Sequence, residues 1–484
     1  MTDGKRLKEN GYKNILKRIS AFGGVQIFNI LIALIRGKFV ALFLGPAGMG
    51  VSSLYTSSTN TIQQFAGLGL NLAFVKEVAA AKDDAIKMQQ IVAIALRLIL
   101  TTSLLGALTC FFLSPLLSLW TFGSYDYTWG FIFLSTSVAL SIAAASYLAL
   151  LQGIGAVKQL AKASLIGGIV GLCLGVPLYY FWGVKGIVPS IIILSTSSFL
   201  FYYITFSRSG YAKASKFNWR EHRPIIKRLL SIGVVLMSGS LIGTFTGYLI
   251  NTFVREFGSV ADVGLFQAAN SLTNQYVGVI FSALALDYFP RLSASIENHN
   301  LFNEIINRQV KIVSLIVTPL VIVLFVSAPL VIKLLLSESF EPILPLLRWL
   351  GLGVLIEAIA FPLGYVFIAK NNNRIYFIVQ VVIGNILWIC CSVLFYYLYQ
   401  LIGLGISLVV RTIIAEPIGF IFLNHYYKVT LSKDTIIDIL TTLGFGIAAF
   451  LVTTYEFFPL ISGICLLISS ITFSAIKLRK RLKE

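Results

Sequence analysis

Residues Gln26 to Asn71 read QIFNI LIALIRGKFV ALFLGPAGMG VSSLYTSSTN TIQQFAGLGL N. The stretch is an apolar run, a Gly/Pro turn at Gly45-Pro46, and a second apolar run. Two cations, Arg36 and Lys38, sit inside the first run. In the second, Asn60, Gln64, Gly67 and Asn71 follow at helical offsets and share one face. A cation at membrane depth costs at least roughly 2.5–3.5 kcal/mol, so it faces protein or water and not lipid. The stretch therefore predicts two membrane helices lining one wall of a polar cavity.

The rest of the chain repeats this pattern. Of 484 residues, 57% are hydrophobic and only 12% are charged. Apolar runs of about 20 residues, enough to span a bilayer, recur from end to end. They predict an all-α polytopic membrane protein with about fourteen transmembrane helices. The alternating short strands of a β-barrel are not visible. The formal charge of +18 raises a nucleic-acid reading, but the basic residues alternate between loops and do not gather on one soluble face. No nucleic-acid partner is expected.

With the N-terminus inside, 31 of the 38 Lys+Arg fall on cytoplasmic segments, which places both termini in the cytoplasm. The longest inner loop, 207–227, splits the first twelve helices into two sets of six. The sets echo each other. Tyr179-Tyr180 before Gly186 matches Tyr396-Tyr397 before Gly403, and Gly50 matches Gly264. Asn60 then falls on Asn274, and the polar stripe is echoed by Gln267, Asn270, Asn274 and Gly278. Six helices per half make the repeats parallel. The expected domains are a six-helix lobe at 1–206, a linker at 207–227, a second six-helix lobe at 228–427, and an extra helix pair with a basic tail at 428–484.

Enzyme motifs are missing: there is no phosphate-binding Gly-rich loop, no His-Glu-x-x-His and no Gly-x-Ser-x-Gly. The five cysteines lie in apolar segments without metal-ligand spacing. No enzyme, cofactor or metal is expected. The candidates are intramembrane polar groups. Arg36 shares a face with Gln26 and Asn29, whereas Lys38 lies about 200° away around the helix. Arg411 sits mid-helix five residues before Glu416, too far round for a pair within the helix, so its partner belongs on another helix. Glu357 lies at the centre of the apolar run 343–369, where a carboxylate pairs with a cation or takes up a proton. Glu357 and Glu416 are the candidate ion-coupling residues for H⁺ or Na⁺. Arg255 lies at the end of the apolar run 228–253.

Gly37-Lys38, then Gly45-Pro46-Ala47-Gly48-Met49-Gly50, then Gly67-Leu68-Gly69 resembles the start of Wzx-type flippases of O-antigen or enterobacterial common antigen units. Gly264-Leu265-Phe266-Gln267 leading to Pro290-Arg291-Leu292-Ser293 agrees. So does Arg348-Trp349 followed by Gly364 to Lys370, Arg374 and Tyr376. The likeness covers helices 1 to 12 and implies the MOP exporter superfamily, with MATE drug exporters and the lipid II flippase as cousins. The extra helix pair departs from it. The family motif points at Lys38 as the cavity cation, while the helical face favours Arg36.

The resemblance implies a flippase in the bacterial inner membrane. It would carry an undecaprenyl-pyrophosphate-linked oligosaccharide, such as an O-antigen repeat unit for lipopolysaccharide biosynthesis, to the periplasmic leaflet by alternating access. Asn60, Gln63, Gln64, Asn270 and Asn274 would meet sugar hydroxyls, and Lys38, Arg36, Arg411 and Arg255 the pyrophosphate. Membrane lipids and a polysaccharide polymerase are the implied partners. The alternative is a MATE-like ion-coupled exporter of small molecules, which requires an excess of cavity carboxylates.

Overall fold

The computed structural model describes the backbone of residues 3–82, 84–211, 219–370, 372–455 and 459–481. Side chains are described for 28–82, 84–211, 222–274, 278, 288–370, 372, 374–455 and 461–479, so Gln26 lies outside the described side chains. Among the described residues the chain is helix and turn, with no strand. The helices are α1 (Asp3–Gly67), α2 (Leu70–Ala80), α3 (Ala85–Phe112), α4 (Ser114–Phe122), α5 (Thr128–Ile154), α6 (Val157–Trp182) and α7 (Ile187–Ser207). After the linker come α8 (Trp219–Phe257), α9 (Val260–Ala294), α10 (His299–Leu335), α11 (Ile343–Ala369), α12 (Asn373–Tyr376), α13 (Gly384–Tyr427), α14 (Lys433–Thr454) and α15 (Pro459–Arg481).

Ten stretches among the described residues are long and apolar enough to cross a membrane. Three of them, Phe28–Gly67, Val157–Ser207 and Arg374–Tyr427, run 40, 51 and 54 residues and are each broken near the middle. The breaks are Gly45 (φ 62°), the 3₁₀ turn Gly183–Gly186, and Gln400 (φ 55°). Each therefore holds two crossings of about 20 residues, and with the 35-residue α9 these give the fourteen expected helices. Two details differ from the sequence reading. The second apolar run, expected as one helix carrying Asn60, Gln64, Gly67 and Asn71 on a single face, breaks at Leu68-Gly69, where both residues have positive φ. The connection 114–128, between two apolar runs, contains the helix α4, which begins at Ser114-Pro115; proline in a first turn lacks only an N–H that has no helical partner anyway.

The chain divides into two compact units, Met1–Leu44 with Val51–Thr252 and Gly45–Gly50 with Phe253–Glu484. In the first, Phe74, Ile94, Leu150 and Leu229 form the core between α2, α3, α5 and α8. Polar pairs tie its helices. Ser164 Oγ donates to Asn29 Oδ1 at 3.0 Å, and Ser137 and Ser195 meet at 2.7 Å. In the second, Val317, Phe325, Leu355 and Phe450 pack α10, α11 and α14. The added pair is fastened by polar contacts as well. Asn307 Oδ1 accepts from Thr435 Oγ1 at 2.7 Å, and the fully buried Asp438 pairs with Lys477 at 2.8 Å.

The repeat is written into backbone geometry. Gly183 (φ 55°, ψ −133°) and Gln400 (φ 55°, ψ −138°) share one conformation at equivalent positions. Three residues later, Gly186 packs on the Leu178 carbonyl and Gly403 on that of Phe395, so that any Cβ would collide. In the second unit, a Cβ on Gly50 would strike the Val260 carbonyl and one on Gly264 the Pro46 carbonyl. Positions 46 and 260 stand in the same relation as 50 and 264. The contact is reciprocal, as in a two-fold interface.

Candidate functional site

Each unit holds a polar cavity. The first, of about 320 Å³, is lined by Asn60, Gln63 and Gln64 of α1, Asn71 of α2, Ser141 and Ser146 of α5, and Thr244 of α8. Asn60 and Gln64 share one side of consecutive turns of α1, and beyond the break at Leu68-Gly69 Asn71 of α2 joins the same wall. The break at Gly67–Gly69 opens backbone into the same wall. Every polar side chain described in this lining is a neutral amide or hydroxyl. Each amide carries two donors and an acceptor, and each hydroxyl can do either. This lining can replace water around sugar hydroxyls, but it brings no formal charge.

The second cavity, of about 420 Å³, is charged. It is lined by Asn274, Glu357, Tyr365, Tyr376, Gln380 and Glu416, with Gly278 and Gly364 leaving space. Gln380 lies on a π-helical turn, Phe377–Ile383, where the widened backbone displaces a side chain from its regular helical position. Arg411 Nη2 meets Glu357 Oε1 at 3.2 Å, and its guanidinium carbon lies 5.7 Å from the Trp388 ring centre. The partner of Arg411 is thus on α11, as the spacing to Glu416 requires. Its buried Nε has no hydrogen-bond partner among the described residues. Leaving such a donor unmet costs about 1–3 kcal/mol.

The other expected cations are placed elsewhere. Arg36 Nε donates to Tyr179 Oη at 3.3 Å, so the Asn29–Arg36 face packs on α6 and does not line the first cavity. Lys38 is half-buried on another face of the same helix. Arg255 pairs with the neighbouring Glu256 at the end of α8. Asn274 Nδ2 donates to Asn270 Oδ1 at 2.7 Å, so Asn270 backs the second cavity through its neighbour. Sequence reasoning misses Ser141, Ser146, Thr244, Tyr365, Tyr376 and Gln380. Gln380 can be found as a lone amide in Phe377–Ile383; the serines and threonine cannot, because hydroxyls commonly bond their own helix's carbonyls.

A family model described as polysaccharide biosynthesis protein matches residues 39–345. The chain belongs to that family. The match takes in the Gly45–Gly50 turn and the whole first cavity. It ends before Glu357, Gln380, Arg411 and Glu416. Among curated relatives, the lipid III flippases of Escherichia coli and Shigella flexneri are each 24% identical over 355 residues, covering 72% of this chain and 83% of theirs. The fold is shared with solved structures of membrane transporters. The lipid II flippase MurJ in an inward closed conformation has a TM-score of 0.71 at 16% identity, covering 97% of this chain and 100% of that one. An inward-facing MATE multidrug transporter has a TM-score of 0.70 at 18% identity, covering 81% and 93%.

Proposed function

We propose that this protein is a flippase for a lipid-linked oligosaccharide, moving a prenyl-diphosphate-borne glycan between leaflets without altering it. The observation that carries this is the first cavity. It is a chamber of neutral amides and hydroxyls among membrane-spanning helices, and its residues lie inside the family match. A sugar headgroup cannot cross hydrocarbon because each unpaired hydroxyl loses its water at a cost of several kcal/mol. The cavity supplies replacement hydrogen bonds. In this reading the lobes 1–206 and 228–427 rock about the linker 207–227, as parallel-repeat transporters do. Basic loops keep both termini in the cytoplasm of a bacterial inner membrane, and the product passes to a polysaccharide polymerase. Lys38 and Arg411 meet diphosphate, and Glu357 and Glu416 take up H⁺ or Na⁺.

The test is complementation. The gene should restore surface glycan in a strain lacking its own lipid III or O-antigen flippase, and Asn60→Ala/Gln64→Ala should abolish this at equal membrane level. Restoration by the double variant would remove the sugar role of the cavity.

One observation favours a second reading, an ion-coupled exporter of cationic small molecules. In the second cavity two carboxylates, Glu357 and Glu416, stand against one neighbouring arginine, Arg411. That reading expects drug efflux from whole cells to fall with Glu416→Gln, whereas the flippase reading expects efflux to be absent with either residue.

A further inference from the structure

We infer that the first half of α8 is a docking site for the prenyl-diphosphate part of the substrate, and that Arg228 exchanges a protein carboxylate for the diphosphate. This rests on the flippase reading above. It adds an entry step to that reading, before Lys38 and Arg411 take the diphosphate: among the described residues no cation lines the first cavity, while Arg36 is held by Tyr179, Arg255 by Glu256 and Arg411 by Glu357. A headgroup whose sugars occupy this cavity needs its charge met nearby.

Helix α8 forms part of the cavity wall through Thr244. Toward its N-terminal end the helix presents an open surface formed by Arg223, Lys227, Leu230, Ser231, Val234 and Val235. Arg223, Lys227, Leu230 and Val234 recur at offsets of four, three and four, one face of the helix. Two cations occupy one end of that face and aliphatic side chains the other. Val234, Val235 and Leu236 are 46%, 63% and 45% exposed. A diphosphate ester of an isoprenoid has the same division: a compact dianion or trianion joined to a hydrocarbon chain. Lysine and arginine give it charge-assisted hydrogen bonds, and the apolar end receives the first isoprene units.

Arg228 lies beside this face. Its side chain is 62% exposed, and Nη2 sits 2.9 Å from Oε1 of Glu77, which is 5% exposed. One helical turn beyond, Gly233 and Gly69 press backbone on backbone, so that a Cβ on either would collide with the other segment. The pair therefore holds α8 against the C-terminal part of α2, about two turns from the break at Gly69 that opens the cavity wall, and Gly233 holds it at the break itself. A diphosphate arriving at Arg223 and Lys227 competes with Glu77 for Arg228. Winning it removes one of the two contacts that hold α8 to α2, the helix that follows the break in the cavity wall. Substrate binding and opening are one exchange of anions.

The test uses purified full-length protein in detergent with undecaprenyl diphosphate as probe, binding being read by native mass spectrometry. Prenyl alcohol and inorganic diphosphate serve as comparison ligands. Arg223→Gln/Lys227→Gln and Arg228→Gln should each weaken binding by about tenfold, the worth of a charge-assisted hydrogen bond. Glu77→Gln should tighten it several-fold, because Arg228 is then uncontested. Both comparison ligands should bind at least tenfold more weakly than the prenyl diphosphate. A structural ion pair moves Glu77→Gln and Arg228→Gln in the same direction, and that result overturns the inference, as does inorganic diphosphate binding as tightly as the lipid. Should Glu77→Gln fail to fold, Glu77→Arg/Arg228→Glu, which restores the pair with reversed sign, must fold yet lose binding; retained binding overturns the inference. No binding of prenyl diphosphate at all contradicts the flippase reading itself, whereas binding unaffected by the α8 variants contradicts only this inference.

Discussion

Gln400 holds a backbone conformation (φ 55°, ψ −138°) that its repeat partner Gly183 adopts without a side chain. A non-glycine residue there is strained by about 1–3 kcal/mol. Gln400→Gly should raise the thermal unfolding temperature of the purified protein, and an unchanged or lower temperature would show that the side chain compensates. Arg411 is the opposite case, a charge held in place by Glu357 and the face of Trp388. Removing one partner of a buried ion pair costs about 3–5 kcal/mol, but Glu357 is 41% exposed, and solvent screening reduces the effect at its side. Arg411→Ala should therefore leave folded protein in the membrane while surface glycan display is lost. Display at the normal level would take Arg411 out of the transport chemistry.

Helix breaks are only partly legible in the amino-acid sequence. Gly45-Pro46 announces its own turn, because a left-handed residue followed by proline cannot continue a helix. The break near Gln400 is legible from span length and from the Tyr396-Tyr397 to Gly403 repeat, but its conformation is not, since nothing in the residue type asks for positive φ; only its register with Gly183 marks that. Periodicity puts Asn29 and Arg36 on one face, and they share it, but periodicity cannot say what a face meets. Tyr179 and Ser164 of α6 meet it. The amide stripe of Asn60 and Gln64 is both periodic and cavity-lining. The serines and threonine completing that cavity carry no such signal. At this level the reciprocal contact of α1 and α9 gives a sharp expectation. Gly50→Ala and Gly264→Ala should each destabilise the protein by about 1–3 kcal/mol, the usual effect of overpacking. Gly243→Ala, with nothing within 4 Å of its Cβ position, should be neutral or stabilising by up to about 1 kcal/mol. Equal melting behaviour of all three would deny the close approach.

Across the molecule, chemistry is divided between two cavities, one neutral and one charged. The neutral one lies within the family match at 39–345, and the carboxylates of the charged one lie beyond it. Separable phenotypes should follow from this division. Asn60 and Gln64 variants should lose glycan transport under every ionic condition. Glu357→Gln should lose the dependence of transport on pH or Na⁺; flux in the variant that still tracks the ion as in the unaltered protein would dismiss the coupling role. The decisive measurement is leaflet transfer in proteoliposomes holding only the purified protein and a fluorescent undecaprenyl-diphosphate oligosaccharide, with outer-leaflet label destroyed by a membrane-impermeant reductant. Protein-containing vesicles should expose well over the static outer-leaflet share of the label, and Asn60→Ala/Gln64→Ala vesicles no more than that share. Label exposure equal in protein-free and protein-containing vesicles, under imposed H⁺ and Na⁺ gradients alike, would contradict a flippase.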